Sequence, residues 1–230
     1  MEQIIEDFTS GYEKLKKETN MHISTMTVVV ETSNEIKIHE VHQKEIPKYF
    51  SERSCDIQVP KGRKTGDEFM NQFTLKFMEG KSRKNVKMFP NGRLHMTGIK
   101  HINDVLKICD ELKEYIGEFA IDNINICLIN CNFNIGIGMD IRKLATILKT
   151  VDDELLYLPF SFQDPNKYPG LRFKYNDTTM LIFSSGAIMF AGGKTIQKID
   201  SCYNFITNLI HSYKDQINCP KLFKIRKSPN

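Results

Sequence analysis

Residues 86–100 read VKMFPNGRLHMTGIK, and residues 179–194 read TMLIFSSGAIMFAGGK. When Phe89 is aligned with Phe183, four further pairs coincide without a gap: Gly92 with Gly186, Leu94 with Ile188, Gly98 with Gly192, and Lys100 with Lys194. Each stretch has the pattern of a strand, a tight turn that ends in glycine, and a second strand. The sequence therefore predicts an internal duplication.

Each hairpin is followed by apolar residues at spacings of three and four, which predicts a helix with one buried face. These residues are Ile102, Val105, Ile108, Leu112 and Ile116 in the first copy, and Ile196, Ile199, Cys202, Ile206 and Ile210 in the second. The predicted organisation has four parts: a helical extension (1–20), a first repeat (21–117), a second repeat (118–213) and a basic tail (214–230).

The remaining elements of the first half follow from local patterns. Residues 1–20 predict an amphipathic helix packed against the first repeat, with its apolar side formed by Ile4, Ile5, Phe8, Tyr12 and Leu15. Residues 23–36 are rich in β-formers, and residues 38–46 suit a short helix that Pro47 ends. We expect a basic loop over residues 51–68 and a strand over residues 73–77.

The second half is expected to repeat this order. Residues 119–133 predict a long strand, with Ile124, Ile126 and Leu128 on one face and Asn123 and Asn125 on the other. A helix (141–151), an extended segment (155–163), a loop (164–170) and a strand (171–175) then lead to the second hairpin. The tail from Lys214 onward is expected to fray.

Composition favours an ordinary globular protein. The chain has 230 residues, a formal net charge of +4 and six cysteines without a CxxC pair, which favours buried thiols in a reducing compartment. Its N-terminus is too charged for a signal peptide, and we expect no membrane contact. His39 and His42 are expected on a helix surface rather than at a metal, and the carboxylates around Asp110 on a solvated helix face. We therefore expect no enzyme, cofactor or small-molecule substrate.

The duplicated pattern LIFSSG-x-x-x-x-x-G-x-K, preceded by a YPGL-type loop, resembles the TATA-binding protein family over nearly all of residues 22–213. Its divergence and insertions resemble those of the versions carried by large cytoplasmic or nuclear DNA viruses. The resemblance implies an α+β saddle, in which two pseudo-symmetric repeats form one curved antiparallel sheet with helices on the convex face. It also implies a transcription initiation factor that binds AT-rich promoter DNA through the minor groove and bends it with aromatic wedges.

The same resemblance assigns residues to three roles. The wedges are Phe89, Phe183, Tyr168 and, in the first repeat, either Met70 or Phe69. The minor-groove residues are Asn123, Asn125, Thr25, Thr27, Thr97, Leu181 and Met189. The phosphate-binding residues are Arg93, Lys100, Lys174 and Lys194, with Lys76 and Arg172 as weaker candidates. Strand alternation places Leu94, Met96, Ile188 and Phe190 toward the helices, and Lys87, Arg93, His95, Thr97, Leu181, Met189 and Ala191 toward DNA.

Several residues depart from the family pattern. Thr25 stands where the resemblance implies a groove asparagine, Lys87 and His95 replace apolar residues, Ala187 replaces a lysine, and Ala191 replaces a threonine. The loop at residues 164–167 lacks an acid and a leucine of the contact with a B-type initiation factor. The helix over residues 101–117 is acidic where the family's is basic.

The implied partners are double-stranded DNA, a B-type initiation factor and the RNA polymerase machinery. The expected location is the nucleus or a cytoplasmic viral factory, with packaging in the virion as a further possibility. A protein-interaction module with weak or no sequence-specific DNA binding is the main alternative. A DNA-processing enzyme built on the same half-saddle is a third, disfavoured because it needs an additional catalytic domain.

Overall fold

A computed structural model describes residues 2–57, 70–159 and 169–220. The chain folds into two compact units. The first comprises Met1–Thr9 and Thr25–Cys127, and the second comprises Ser10–Ser24 and Leu128–Asn230. Each unit contains one copy of the duplicated hairpin and the helix that follows it.

The elements up to the end of the first repeat helix are α1 (Glu2–Thr19), β1 (His22–Thr32), α2 (Ile38–Gln43), β2 (Phe50–Ile57), β3 (Met70–Glu79), β4 (Ser82–Met88), β5 (Arg93–Ile99) and α3 (Asn103–Ile116). In the first unit the strands lie in the order β2-β3-β4-β5-β1. All four neighbouring pairs are antiparallel.

The remaining elements are β6 (Ile121–Asn134), α4 (Ile141–Leu148), β7 (Leu156–Tyr157), β8 (Leu171–Tyr175), β9 (Thr178–Ile182), β10 (Ala187–Gly193), α5 (Ile196–Ser212) and α6 (Lys214–Ile217). The strands of the second unit lie in the order β6-β10-β9-β8-β7. These four pairs are also antiparallel.

Burial alternates along both hairpins, as the sequence predicted. The buried side chains are Val86, Met88, Leu94 and Met96 in the first hairpin and Met180, Ile182, Ile188 and Phe190 in the second. The residues between them are exposed or partly exposed. Each buried apolar side chain contributes about 1.5–3 kcal/mol, so the alternation fixes which side of each sheet faces the core. We call the opposite side the open face of each unit.

Glycine is required at both hairpin turns. Gly92 and Gly186 have φ angles of +79° and +84°, a region that side chains disfavour. A Cβ on Gly92 would lie 2.5 Å from the carbonyl oxygen of Asn34, and one on Gly186 would lie 2.4 Å from that of Ile137. The chain therefore passes close behind each turn, and no larger residue fits there.

The two repeat helices bury the predicted faces. Ile102, Val105, Ile108 and Leu112 are buried in the first unit, whereas Ile116 is partly exposed. All five predicted residues of α5, from Ile196 to Ile210, are buried. The hydroxyl of Thr195 caps α5 by accepting a hydrogen bond from the amide of Lys198 at 3.2 Å.

Two expectations about α1 are wrong. Ile4 is 44% exposed, while Ile5, Phe8, Tyr12 and Leu15 form the buried side. From Ser10 onward the helix belongs to the second unit, not the first. Gly11 allows this packing, because a Cβ there would already touch Cγ2 of Ile196 at 3.4 Å.

Two expectations about strands are also wrong. Residues 51–57 form β2 rather than the start of a loop, and residues 58–68 lie outside the described residues. In β6, Ile124 is buried but Ile126 and Leu128 are partly exposed, and burial resumes at Ile129. The alternation changes phase where the strand passes from the first compact unit to the second, between Cys127 and Leu128.

The start of the C-terminal tail is ordered rather than frayed. Ile217 is fully buried, and its carbonyl oxygen accepts a hydrogen bond from the amide of Asp140 at 2.7 Å. The amide of Cys219 donates to the carbonyl oxygen of Gly138 at 2.7 Å. Residues 221–230 lie outside the described residues. Of the extended segment predicted over residues 155–163, only Leu156–Tyr157 pairs as a strand in the described part, up to residue 159.

Candidate nucleic-acid interface

Phe89 and Phe183 stand at the same point of two equivalent turns. The Phe89 amide donates to the carbonyl oxygen of Arg93 at 2.9 Å, and the Phe183 amide donates to that of Ala187 at 3.0 Å. Both rings are partly exposed on the open faces. The Phe89 ring centroid lies 4.7 Å from that of His95. Neither ring is fully buried in the core, so both meet the first structural condition for a wedge.

The strand register of the two hairpins favours Met70 over Phe69 as the predicted wedge of the first repeat. Thr74 lies opposite Lys87, and Arg172 lies opposite Leu181. Because Lys87 and Leu181 are equivalent in the hairpin alignment, Thr74 and Arg172 are equivalent too. In the sequence, Met70 is four residues before Thr74 and Tyr168 is four residues before Arg172, whereas Phe69 is one position further back. Met70 begins β3, whereas Tyr168 lies outside the described residues.

The open face of the first unit is polar and basic at its centre. Val29, His95, Lys87 and Thr74 lie opposite one another in a row across four strands. Burial, Arg93 and Lys87 together hold the pKa of His95 below its ordinary value. His95 is therefore predominantly neutral near pH 7 in the free protein, within a cationic surface.

The equivalent row in the second unit is apolar at its centre. Asn132 lies opposite Met189, Met189 opposite Leu181, and Leu181 opposite Arg172. Met189 is 37% exposed, and Leu181 beside it is partly exposed. Lys87 and His95 on one side thus correspond to Leu181 and Met189 on the other, and the two open faces differ in chemistry.

The predicted minor-groove residues are all accessible. Asn123 and Asn125 are exposed, and Thr25, Thr27 and Thr97 are partly exposed. The register shows, however, that Thr25 and Asn123 are not equivalent. Met26 lies opposite Ile99, and Ile129 lies opposite Gly193.

Since Ile99 and Gly193 are equivalent, Thr25 corresponds to Leu128 and Thr27 to Asn130. Asn130 and Asn132 therefore also lie on the open face of the second unit, between the buried residues of β6. The sequence analysis did not identify these two positions, although counting back from the second hairpin could have found them. The Oδ1 atom of Asn130 accepts a hydrogen bond from the amide of Gly192 at 3.0 Å.

The predicted phosphate-binding cations fall into two groups. Lys100, Lys174 and Lys194 are exposed. Arg93 is also exposed, but its Nη2 atom lies 3.0 Å from Oε1 of Glu31 in an ion pair. Lys76, a weaker candidate, is paired with Glu52. Two of the predicted phosphate-binding cations in the first unit, Arg93 and Lys76, are therefore already in ion pairs with acidic side chains.

A charge cluster around the buried Lys84 joins the β3–β4 hairpin to α3. Lys84 is only 2% exposed, and its Nζ atom lies 2.6 Å from Glu79 and 3.0 Å from Asp104. Lys107 also bonds Glu79, at 2.6 Å, and these two lysines lower the pKa of Glu79 to about 2. Sequence reasoning missed the cluster because a lysine in a strand ordinarily indicates a solvated position. Asp104 therefore adds little free negative charge to α3.

The described residues carry little other chemistry. They contain no group of three or more His, Cys, Asp or Glu side chains that could hold a metal ion. No helix within them is long and apolar enough to cross a membrane. Burial raises the pKa of the Cys109 and Cys131 thiols to about 12, which makes them poor nucleophiles.

Comparisons with known proteins agree with this geometry. Residues 123–213 match the family described as "Transcription factor TFIID (or TATA-binding protein, TBP)". A "TATA-box-binding protein-like" protein of Acanthamoeba polyphaga mimivirus is 26% identical over 198 residues, which are 72% of this chain and 54% of that protein. A TATA-box-binding protein of Methanococcus maripaludis is 27% identical over 136 residues, covering 56% of this chain and 70% of that protein.

The fold is also found in a solved structure. Methanococcus jannaschii TBP matches 84% of this chain and 98% of its own, with a TM-score of 0.57 and 19% identity. The predicted class is confirmed: this is an α+β protein with an antiparallel sheet of the TATA-binding type. The second half of the chain matches this family model, and the chain is similar to the viral TATA-box-binding protein-like protein and to the archaeal TATA-box-binding protein. It spans about half the length of that mimivirus relative.

Proposed function

We propose that this protein binds AT-rich duplex DNA through the minor groove and bends it, as a TATA-box-binding-protein-like transcription initiation factor. One observation carries the proposal. Two hairpins with the same turn hydrogen bonds each hold a partly exposed phenylalanine, Phe89 or Phe183, on an open face. A ring that is carried on a hydrogen-bonded turn and is not fully buried can enter a base step and unstack it.

In this mechanism the two units use different forces. The open face of the second unit offers Leu181 and Met189 to the sugar walls and floor of the groove, where release of water stabilises contact. The first unit offers Lys87 and His95 at the equivalent positions, so its contacts are more electrostatic. Asn123 and Asn125 supply donors for the acceptors of A·T pairs in the minor groove.

Phosphate contacts position the protein without reading sequence. Lys100 and Lys194 follow the second strand of each hairpin, and Lys174 lies on the open face of β8. Arg93 would also contact a phosphate once its ion pair with Glu31 is broken. Each lysine or arginine that neutralises a phosphate releases counterions, so the affinity should fall steeply with salt.

One observation favours the alternative of a protein-interaction module with weak DNA binding. Arg93 and Lys76, two cations of the first open face, are paired with the acids Glu31 and Glu52. Under this alternative a protein partner, not a duplex, would cover the first open face. The B-type initiation factor and RNA polymerase remain proposed partners, and the loop at residues 164–167 lies outside the described residues. The proposed location is the nucleus or a cytoplasmic viral factory, and packaging in the virion is also proposed.

A gel shift at low salt separates the two functions. We expect the full chain to retard an AT-rich duplex more strongly than a G·C-rich duplex of equal length. A donor–acceptor pair at the duplex ends should report shortening of the end-to-end distance in the same samples. Absence of any retardation at low salt would favour the interaction module, and retardation without shortening would contradict wedge insertion.

A further inference from the structure

Glu31 contacts two of the predicted DNA-binding residues of the first unit. Its Oε1 atom lies 3.0 Å from Nη2 of Arg93. Its Oε2 atom lies 3.5 Å from Nδ2 of Asn123, which donates a long hydrogen bond. One carboxylate therefore occupies both a predicted phosphate contact and a predicted groove contact.

Strand alternation places this carboxylate on the open face. Glu31 lies directly opposite Arg93 in the β1–β5 pair, two residues from Val29. The carbonyl oxygen of Arg93 accepts the hydrogen bond from the Phe89 amide, so Glu31 lies close to the wedge turn. A negative charge at this position faces the surface that a polyanion would approach, and like charges repel across such an interface.

We propose that Glu31 is a built-in competitor for DNA, which holds Arg93 and Asn123 in the free protein and weakens the first half of the interface. The inference rests on the proposed function. A phosphate must displace the carboxylate from Arg93, and the displaced carboxylate then faces the duplex. Glu31 thereby sets both the affinity and the salt dependence of binding.

The second unit carries a neutral pair at the equivalent positions. Asn134 corresponds to Glu31, and Ala187 corresponds to Arg93 and lies opposite Asn134. The amide of Asn134 donates to the carbonyl oxygen of Ser185 at 3.4 Å. The competition therefore acts on one half only, so the charge state of Glu31 affects the two halves of a binding site unequally.

The test compares Glu31→Gln with the wild type on one AT-rich duplex. Exposed ion pairs contribute about 0.2–1 kcal/mol, so releasing Arg93 should tighten binding by roughly 1.4- to 5-fold. Glu114→Gln is the matched control, because it removes the same charge from an exposed position of α3. It should change the affinity much less than Glu31→Gln does.

A double-mutant cycle with Arg93→Gln adds a second measurement, the salt slope of binding. This slope would not change if Glu31 had only a structural role. In the Glu31→Gln background, Arg93→Gln should lower the salt slope by about 0.9, the value for one neutralised phosphate. In the wild-type background the decrease should be clearly smaller. Thermal melting of each variant checks that the fold is retained.

The outcomes separate the inference from the proposed function. If the wild type binds the duplex but Glu31→Gln binds no more tightly than Glu114→Gln, the inference is wrong and the proposed function stands. Equal effects of Arg93→Gln in both backgrounds would also overturn the inference alone. If folded wild type and Glu31→Gln both fail to bind at low salt, the proposed function fails, and the inference fails with it.

Discussion

Phe89 and Phe183 are held by the same pair of backbone hydrogen bonds. Each amide donates to the carbonyl oxygen four residues ahead, at 2.9 and 3.0 Å, and each carbonyl oxygen accepts from the turn glycine, at 3.1 and 3.0 Å. The structure thus repeats the backbone geometry of the turn but changes its surroundings. The Phe89 ring lies beside His95. A Cβ on Gly170 would lie 3.2 Å from the Phe183 ring, so that ring packs against the Gly170 backbone.

The exposed lysines of the second unit should dominate its electrostatic contribution. The double variant Lys174→Ala/Lys194→Ala should lower the slope of log affinity against log salt by roughly 1.8, because each neutralised phosphate contributes about 0.9. Binding titrations between low and moderate salt measure this slope. Arg142→Ala/Lys143→Ala removes two equally exposed charges near the start of α4 and is expected to leave it nearly unchanged. Identical salt slopes for the two double variants would show that Lys174 and Lys194 do not contact phosphates.

Binding should tighten as the pH falls, because of His95. Burial and two neighbouring cations depress its pKa in the free protein. Phosphates near the imidazole would stabilise its charged form, so the pKa should be higher in the complex than in the free protein. Affinity then rises as the pH is lowered from about 7.5 to 5.5, and the difference between the two pKa values sets the total size of the rise.

Titrations at constant salt test this dependence with two variants. His95→Gln should flatten the pH profile, whereas His211→Gln, at the exposed end of α5, should retain it. A wild-type profile that is flat over this range would show that His95 does not approach phosphate.

The charge cluster around Lys84 should contribute more to the free energy of unfolding than an ordinary exposed ion pair does. Asp104→Ala leaves the buried Lys84 with Glu79 as its remaining partner, and we expect a loss of about 1.5–3 kcal/mol. Asp110→Ala breaks an exposed pair with Lys113 on the same helix and should cost less than about 1 kcal/mol. Urea unfolding of both variants compares the two values. A cost for Asp104→Ala as small as that for Asp110→Ala would mean that water already screens the cluster.

The duplication could be predicted from sequence because turn glycines and strand alternation are local signals. Gly92, Gly186 and the alternating residues of both hairpins lie as expected. The phase change within β6 could not be predicted, because it depends on which unit surrounds each part of the strand. Lys84 was missed for a similar reason, since its burial depends on partners in α3 and at the end of β3.

The candidate interface was predictable in part. Alternation placed Arg93 on the open face, but local patterns could not show that Glu31 occupies it from a neighbouring strand. The equivalence of Thr27 and Asn130 likewise needs the pairing of strands that are distant in sequence. Contacts between strands, not patterns within one strand, decide these features.

The wedge hypothesis makes opposite predictions for two phenylalanines of the same unit. Phe183 is partly exposed at the turn, whereas Phe190 is 1% exposed within β10. Phe190→Ala should lose about 3–5 kcal/mol of stability, as expected for a buried ring. Phe183→Ala should lose clearly less, because its ring is incompletely buried. Its effect should instead fall on the DNA complex.

The most direct measurement is therefore the bending of an AT-rich duplex by the Phe183→Ala variant. Energy transfer between the duplex ends, at saturating protein, reports this bending. We expect this variant to melt close to the wild type yet to bring the duplex ends together much less. Phe89→Ala should show a smaller loss of bending. A large drop in melting temperature together with wild-type bending would contradict the wedge hypothesis, because Phe183 would then be a core residue.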